Sequence, residues 1–257
     1  NMPDFLVFTA LLPRLTGSKI VLDLHDPTPE VYMAKYSMGP EHPVVKVLRF
    51  LEKISIRYAH LVLTPNIAFR NLFIARGCPE NKIHIVMNSP DPGIFREIHA
   101  VGRVDTDKSR SILRLMYHGT VVERHGLQTA LDALPILRGE GLNIIFDVYG
   151  EGDYVETFLR LVREKGLTDS VHYHGHVHLD DIPGEIMKCD IGLIPNMRTE
   201  FTEINFPTRI FEYLSMGKPV IAPRTRGIMD YFDESSIYFF EPGSADSLAE
   251  TILKAWY

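Results

Sequence analysis

The chain alternates short apolar runs with segments in which apolar residues recur at helical spacing. Runs of four to seven apolar residues bounded by polar or turn residues are typical of buried strands. The first half contains four such runs, at residues 5–9, 19–25, 60–64 and 83–87. Amphipathic helical segments lie between them at 44–59 and 68–77. Strands alternating with helices predict a parallel sheet built from βαβ units.

The composition changes at residues 88–111. This segment is rich in Pro, Gly, Asp and Ser and lacks a clear hydrophobic period, as is typical of a linker. A second alternating series follows. Its apolar runs are residues 112–118, 143–149, 171–174, 191–195, 219–222 and 237–240. Six strands with intervening helices make a complete Rossmann-like domain. We therefore predict an α/β chain with an incomplete Rossmann-like domain (1–92), a linker (93–111) and a complete second one (112–257).

Composition narrows the function classes. With 257 residues, 45% hydrophobic and 23% charged, the chain is long enough for one large or two medium domains. The net charge of −6 argues against a nucleic-acid partner, which would need clustered positive charge. Cys78 and Cys189 lie far apart without metal-like spacing, which suits a reducing compartment. The start of the chain lacks a signal-peptide pattern, so we expect a cytoplasmic protein.

The stretch NFPTRIFEYLSMGKPVIAP, residues 205–223, predicts a helix over 208–216 that ends at Gly217. At ~100° per residue, one face carries the apolar side chains expected to meet the sheet, namely Ile210, Phe211 and Leu214. The opposite face carries Arg209, Glu212 and Met216. Pro207 suits the first turn, and Asn205 or Thr208 is the expected cap.

The amide groups at the start of this helix, together with Arg209, would form an anion site. Glu212, one turn later, is placed to accept hydrogen bonds from hydroxyls. A phosphate beside a polyhydroxyl group describes a nucleotide sugar. On spacing alone an exposed Arg–Glu pair of little energetic weight is the alternative.

This stretch resembles the donor-site motif of retaining GT-B-fold glycosyltransferases, of the group 1 or family 4 type, in the branch that builds bacterial surface polysaccharides. The resemblance continues in the expected order through most of the chain. The other matching segments are residues 22–30, 59–91, 118–127, 148–154, 171–195 and 236–252. It implies transfer of a sugar from a nucleoside diphosphate to an acceptor hydroxyl, with neither cofactor nor metal.

By this resemblance Glu212 holds the ribose hydroxyls of the donor, and Arg209 meets the diphosphate where the family usually has Lys. Arg124 is the second cation. Gly119 and Thr120 form the loop under the pyrophosphate. Further donor contacts are expected from Gly150, Val177, Glu203, Phe206, Pro207 and Thr208.

The pattern departs from the family at two places. The commoner motif has a Glu eight positions before Glu212, and here that position is Ile204, with Glu203 beside it. The usual Lys-Gly after the first strand of the second domain is His125-Gly126. The first departure leaves the transferred sugar open. The second leaves open whether Arg124 or His125 meets phosphate.

His25 follows a predicted strand, at the end where α/β proteins bind ligands. We assign it to the transferred sugar or the acceptor, with a capping or packing role as the alternative. The segment GEGDY (150–154) lacks the third glycine of a dinucleotide fingerprint. It is either a tight turn or a loop near the donor base.

Four alternating histidines, at positions 172, 174, 176 and 178, would share one face of an unbroken strand. That arrangement suggests a metal site. Gly175 indicates that the strand ends within the run, however, and no carboxylate or cysteine stands at ligand-like spacing. We therefore predict histidines that line the nucleotide cleft and bind no metal.

The expected partners are a nucleotide sugar and a sugar or lipid-linked acceptor, with peripheral association at the inner face of the membrane. Because the first half offers about four strands, we expect a longer polypeptide or a partner chain to complete that domain. Two rival functions remain. One is a nucleotide-sugar epimerase or phosphorylase of the same fold, and the other is a non-catalytic nucleotide-sugar-binding protein.

Overall fold

The computed structural model describes residues 3–95 and 112–257. The strands are β1 (Val21–Asp23), β2 (Leu61–Thr64), β3 (Ile83–Ile85), β4 (Leu113–His118), β5 (Ile144–Tyr149), β6 (Val171–Gly175), β7 (Ile191–Leu193), β8 (Val220–Pro223) and β9 (Tyr238–Phe240). The α-helices are α1 (Leu11–Leu15), α2 (Thr28–Tyr36), α3 (Pro43–Tyr58), α4 (Ile67–Ala75), α5 (Leu127–Gly139), α6 (Val155–Glu164), α7 (Ile182–Lys188), α8 (Arg209–Ser215), α9 (Arg226–Met229) and α10 (Ala245–Trp256). Within the described ranges, none of these helices has the length and apolar character needed to cross a membrane.

The chain divides into two compact units. The first comprises Asn1–Asn88, Arg198–Phe206 and Thr225–Tyr231, and the second comprises Ser89–Met197, Pro207–Arg224 and Phe232–Tyr257. The sequence-based boundaries, 1–92 and 112–257, assigned every residue after 112 to the second domain. The structure instead returns two short segments to the first unit. Residues 96–111, most of the predicted linker, lie outside the described residues.

The first unit contains a parallel sheet in the order β1-β2-β3. These strands confirm three of the four predicted apolar runs. The fourth prediction, a strand at residues 5–9, is wrong, because Asp4–Ala10 forms a 3₁₀-helix. Its backbone bonds are local, as where the Leu6 amide donates to the Pro3 carbonyl at 3.1 Å. Phe5 and Leu6 are about half exposed, so apolar composition here does not reflect a buried strand.

The two returning segments join the first unit through aromatic side chains. The ring of Phe201 lies 6.2 Å from that of Phe69 in the core. The hydroxyl of Tyr231 accepts a 2.9 Å hydrogen bond from the Ile67 amide at the start of α4. Ile204, at the position where the family motif has Glu, packs against the same core. The missing carboxylate is therefore replaced by a packing residue.

The second unit contains a six-stranded parallel sheet in the order β6-β5-β4-β7-β8-β9. All six predicted strands are confirmed. This is the doubly wound order, which reverses direction between β4 and β7. Apolar side chains of α5, α6 and α10 pack against one face of the sheet. Ligands of such sheets bind in the crevice at the carboxyl ends of the strands, near the reversal.

Helix α8 packs on the opposite face of the sheet, where the ring of Tyr213 lies directly over Gly192. A β-carbon at Gly192, in β7, would lie 2.3 Å from the ring of Tyr213. The Tyr213 hydroxyl donates to the Met116 carbonyl of β4 at 2.9 Å. The ring therefore fixes the helix against two neighbouring strands.

The predicted face of α8 needs correction. Ile210 is buried as expected, but its buried partner is Tyr213 rather than Phe211 or Leu214, which are only partly buried. Met216, predicted to point away from the sheet, is also buried. The reason is the space above Gly192, which admits the Tyr213 ring and rotates the helix toward it.

Gly192→Ala should destabilise the second unit by about 1–3 kcal/mol, the usual cost of adding a methyl group to a filled core. Gly184→Ala is the matched control, since a β-carbon at Gly184 in α7 meets nothing within 4 Å. Alanine in that open helical position should preserve or slightly raise stability. Thermal unfolding of the two variants measures the difference. Equal melting temperatures would contradict the packing described for Tyr213.

Candidate functional site

Two glycine-containing loops lie backbone against backbone after β4 and β5. A β-carbon at Gly150 would lie 1.9 Å from the Gly119 carbonyl oxygen, and one at Gly152 would lie 2.0 Å from that of Val121. Gly119 and Gly150 also have positive φ angles of 123° and 129°, a region open to glycine. The segment 150–154 therefore packs directly against the loop that follows β4, and its place near a donor base stays a prediction.

These loops border a cavity of about 370 Å³ at the carboxyl ends of β4, β5 and β6. Four predicted donor-binding residues line it, namely Gly119, Thr120, Gly150 and Val177. His176 lines it as well, in agreement with the expectation that the histidine run borders a cleft. The volume falls in the range typical of small-molecule sites, roughly 300–1,000 Å³.

Arg209 is held beside this cavity by two contacts. Its Nη1 donates to the His118 carbonyl at 2.6 Å, and its guanidinium lies 4.6 Å from the centre of the Tyr117 ring. A β-carbon at Gly119 would approach Nη1 to 3.0 Å. The cation is therefore fixed in place against the cavity loop. This placement differs from the loosely solvated Arg–Glu pair that spacing alone allowed.

Glu212 lies on the inward side of α8, with a side chain that is 15% exposed. Its Oε2 lies 3.3 Å from Nε2 of His118, a residue that lines the cavity. Burial raises the pKa of Glu212, and the Arg209 charge opposes that rise. Glu212 was predicted on the face of α8 opposite Ile210, Phe211 and Leu214, and the structure directs its carboxylate toward His118 at the end of β4.

His118 and His125 are neutral near pH 7. Burial, and then the Arg209 charge, lower the pKa of each imidazole to about 3. Among the described residues, Nε2 of His118 has no hydrogen-bond partner, since its 3.3 Å contact with Glu212 lacks hydrogen-bond geometry. Buried polar atoms almost always have partners. Nε2 of His118 therefore lies beside the Glu212 carboxylate as a polar atom without a hydrogen bond to the described residues.

The imidazole ring of His125 has hydrogen-bond partners within the protein. Its Nδ1 lies 2.9 Å from the Tyr117 hydroxyl and 2.7 Å from the Thr120 carbonyl oxygen. The charge of neighbouring Arg124 also contributes to lowering the pKa of His125. Within residues 118–127 the positive charge is therefore that of Arg124. The backbone carbonyl of Arg124 accepts a 3.0 Å hydrogen bond from the Met197 amide.

Pro207 and Thr208 precede α8, but the predicted side-chain cap is absent, since Thr208 makes no capping bond through its hydroxyl. The backbone carbonyls provide the acceptors instead. Pro207 accepts from the Ile210 amide at 3.1 Å, and Thr208 accepts from Phe211 at 2.9 Å. Asn205, the alternative cap, belongs to the first unit. The anion site predicted here therefore depends on Arg209 more than on free helix amides.

Three predicted site residues, His25, Glu203 and Phe206, belong to the first unit. Nε2 of His25 lies 3.1 Å from the Asn88 side-chain nitrogen. Glu203 accepts from the Arg226 amide at 3.2 Å and pairs with Arg198 at 2.9 Å. The Phe206 ring lies 5.2 Å from Tyr231, edge to face. These contacts hold the three side chains, and their roles toward a donor or acceptor stay predictions.

The histidine run divides at Gly175, where β6 ends as predicted. His178 lies 3.3 Å from Asp180 on the surface. His172 and His174 instead flank Asp147 of the adjacent strand β5. The premise that no carboxylate stands at ligand-like spacing applies only along the sequence, because spacing along one strand does not reveal a carboxylate on the neighbouring strand.

The sequence analysis missed three residues around the cavity, Tyr117, His118 and Tyr149. Tyr117 supports Arg209 and His125, while His118 and Tyr149 line the cavity. All three stand at the carboxyl ends of β4 or β5. The rule that ligands meet the ends of parallel strands was the signal that could have identified them.

The profile of the family described as "Glycosyl transferases group 1" matches residues 113–256, more than half of the chain. The chain belongs to this family. The match covers the six-stranded sheet and its helices from β4 to the end of α10, and it includes the cavity, Arg124 and Arg209.

Curated relatives include an amylovoran biosynthesis glycosyltransferase of Erwinia amylovora, 24% identical over 76% of this chain and 47% of its own length. A 2-deoxystreptamine glucosyltransferase of Streptomyces kanamyceticus is 25% identical over 93% of this chain and 62% of its own length. The chain thus spans about half to three fifths of these group 1 relatives.

Solved structures share the fold. Anabaena HepE in complex with UDP and glucose superposes with a TM-score of 0.73 at 20% identity, over 97% of this chain and 65% of that one. Sucrose-phosphate synthase from Thermosynechococcus elongatus gives 0.72 at 16% identity, over 96% and 62%. Both likenesses extend across nearly the whole chain, so the GT-B fold class predicted from the sequence is confirmed.

Glu212→Gln should raise the thermal stability of the ligand-free group 1 chain at pH 7. A raised carboxyl pKa means that the folded state loses stability as pH rises from the unfolded value of 4.5 through the higher folded value, and the loss persists above it. Glutamine removes this cost, so the gain should vanish below about pH 4.5.

The matched control for this measurement is Glu250→Gln, at an exposed position of α10, which should change stability little. Melting temperatures of both variants at pH 4 and pH 7 give the comparison. If the Glu212→Gln variant is less stable than the parent at pH 7, the ionised carboxylate stabilises the folded state and the expectation is wrong.

Proposed function

We propose that the chain forms the nucleotide-sugar-binding part of a glycosyltransferase that moves a sugar from a nucleoside diphosphate to an acceptor hydroxyl in polysaccharide or glycoconjugate synthesis. The observation that carries this proposal is the fixed position of Arg209 beside the Gly119 loop of the cavity. Membership of the group 1 family and the role in amylovoran biosynthesis named for the Erwinia relative support it.

The diphosphate end of the donor would lie against Arg209 and Arg124. Both charges act on the same half-buried imidazole, His125, so the two guanidinium groups stand close to one part of the loop. The histidines there are neutral, so they add no charge of their own. Arginine suits this role because its planar fork carries five N–H donors and stays protonated.

The nucleoside would occupy the cavity beyond the loop. Glu212 is a largely buried carboxylate, and ribose hydroxyls would donate to it and replace lost water. The partnerless Nε2 of His118 lies beside the same carboxylate and offers a further polar contact. Val177 and the ring of Tyr149 line the wall where a planar base would pack.

In the proposed reaction the bond between the anomeric carbon and the phosphate oxygen breaks, and a bond to the acceptor oxygen forms. The two arginines stabilise the charge that develops on the departing diphosphate. The acceptor proton passes to the leaving phosphate, and the anomeric configuration is retained. His25, in the first unit, would serve the sugar or acceptor. Retention rests on the family resemblance.

A donor panel tests the proposal. UDP, GDP and ADP, with their glucose and mannose derivatives, are screened by thermal shift, then assayed for transfer to a lipid-linked sugar. UDP-glucose is the first donor because the Anabaena structure contains UDP and glucose. Stabilisation by one nucleotide class supports the site. Formation of an epimer would favour the epimerase or phosphorylase. Nucleotide-sugar binding without transfer, in a chain extended to the full length of the relatives, would favour the non-catalytic binding protein.

Arg209→Ala should weaken binding of the preferred nucleoside diphosphate by about tenfold or more, because a charge-assisted hydrogen bond contributes ~1.5–3 kcal/mol. Isothermal titration calorimetry measures the change. The control is Arg160→Ala, an arginine of the same unit whose side chain is 60% exposed on α6. Equal affinities of the two variants would exclude the arginine site.

Lys218 is unsuitable as that control. Although Lys218 lies just beyond the end of α8, its Nζ donates to the carbonyls of Met187 and Cys189 at 2.9 and 2.7 Å. Removing it would leave two carbonyl groups without their donor. A loss of binding in such a variant would not distinguish folding from phosphate recognition.

A further inference from the structure

Asp147, His172 and His174 bring three ligand atoms of metal-binding type together on the sheet of the second unit. Each residue offers one atom, and all three atoms lie within 4.8 Å of one another. Asp147 stands in β5, and the two histidines stand at alternate positions of the adjacent edge strand β6. Two imidazoles and one carboxylate form a common ligand set for zinc and related ions.

One of the two histidine–carboxylate distances matches the spacing of ligands on an ion, and the other is a hydrogen bond. Two ligand atoms on a tetrahedral zinc ion, with bonds of about 2.1 Å, lie roughly 3.4 Å apart. Nδ1 of His172 lies 3.6 Å from Oδ1 of Asp147, which is too long for a hydrogen bond. Nε2 of His174 lies 2.7 Å from the same oxygen, at hydrogen-bond distance. A shift of well under 1 Å at His174 would give both contacts ligand spacing.

The strand geometry aims the second histidine at this point. Val148 pairs with Tyr173 and Tyr149 pairs with Gly175, so His174 is an extra residue in β6. Such bulges re-aim a side chain and are uncommon between parallel strands. Gly175 follows with a φ of 68°, a conformation that glycine adopts readily. The bulge turns the His174 imidazole toward Asp147 and onto the Tyr149 ring, 4.3 Å away and nearly parallel.

The remaining carboxylate oxygen has its own partner. Nη1 of Arg114 lies 3.1 Å from Oδ2 of Asp147, so Oδ1 is the oxygen that faces both histidines. Groups that hold a ligating carboxylate in this way orient it for a metal. The Arg114 side chain is 45% exposed, and water therefore screens its charge. The histidines are 43% and 38% exposed, which gives an ion access and leaves coordination positions for water.

We propose that Asp147, His172 and His174 bind one divalent transition-metal ion, with zinc the expected occupant. This replaces the sequence-based expectation of no metal in the histidine run. Three protein ligands with open positions make the site exchangeable. Oxygen-preferring ions such as Mg²⁺ should bind it poorly, because two of the three ligands are imidazoles.

The test is titration of the full chain, purified without a histidine tag, with ZnCl₂ by calorimetry. One zinc ion per chain is expected. His172→Asn and His174→Asn should each lower the affinity at least ~10-fold, the lower end of what loss of even an outer partner costs. His178→Asn is the matched control from the same run, 74% exposed and outside the cluster, and should bind zinc like the parent.

A second readout is the visible spectrum of the Co²⁺-loaded chain, which reports nitrogen and oxygen ligation directly. Its d–d bands should be lost in the double variant His172→Asn/His174→Asn and kept in His178→Asn. Competition by equimolar Mg²⁺ should leave zinc binding unchanged. Full zinc affinity in the double variant, equal losses in all three single variants, or absence of stoichiometric binding to the parent would each overturn the proposal.

Discussion

The contact between the backbones of the two glycine loops is the constraint on which the candidate site depends. The Gly119 amide donates to the Tyr149 carbonyl at 3.0 Å, and the Val121 amide donates to the Glu151 carbonyl at 2.8 Å. These bonds extend the pairing of β4 and β5 beyond the strands. A side chain at Gly150 would collide with the Gly119 carbonyl and separate the loops. The close contact between these two loops therefore shapes the lining of the cavity. It also sets the positions of Arg209, Thr120 and His118.

The same geometry divides charge between arginine and histidine. Burial near the end of β4 removes the charge from His118 and His125, and the nearby Arg209 cation reinforces this effect. The neutral imidazoles then serve as packing and hydrogen-bonding groups around fixed guanidinium charges. An anion entering the cavity would thus meet the guanidinium charge of Arg209 beside neutral imidazoles.

Local pattern was enough for the strands of the second unit, because most of them are apolar runs that become largely buried in a parallel sheet. It was not enough at residues 5–9, where Phe5 and Leu6 are apolar yet exposed. The orientation of α8 depends on Gly192, which lies in a strand and not on the helix. Asp147 reaches the histidines from a neighbouring strand, and residues 198–206 return to the first unit. Such pairings arise from tertiary contacts that spacing along the chain does not contain.

Tyr149 connects the histidine cluster to the cavity. Its hydroxyl donates to Glu185 of α7 at 2.9 Å, and burial raises its pKa, so the hydroxyl remains a donor at neutral pH. Its ring lines the cavity and also stacks on His174. A ring fixed at its hydroxyl and along one face has few alternative rotamers, so the cavity wall is formed before a ligand arrives. Pre-formed walls reduce the entropy lost on binding. The bulge that directs His174 toward Asp147 therefore also helps to define the surface on which a nucleoside would pack.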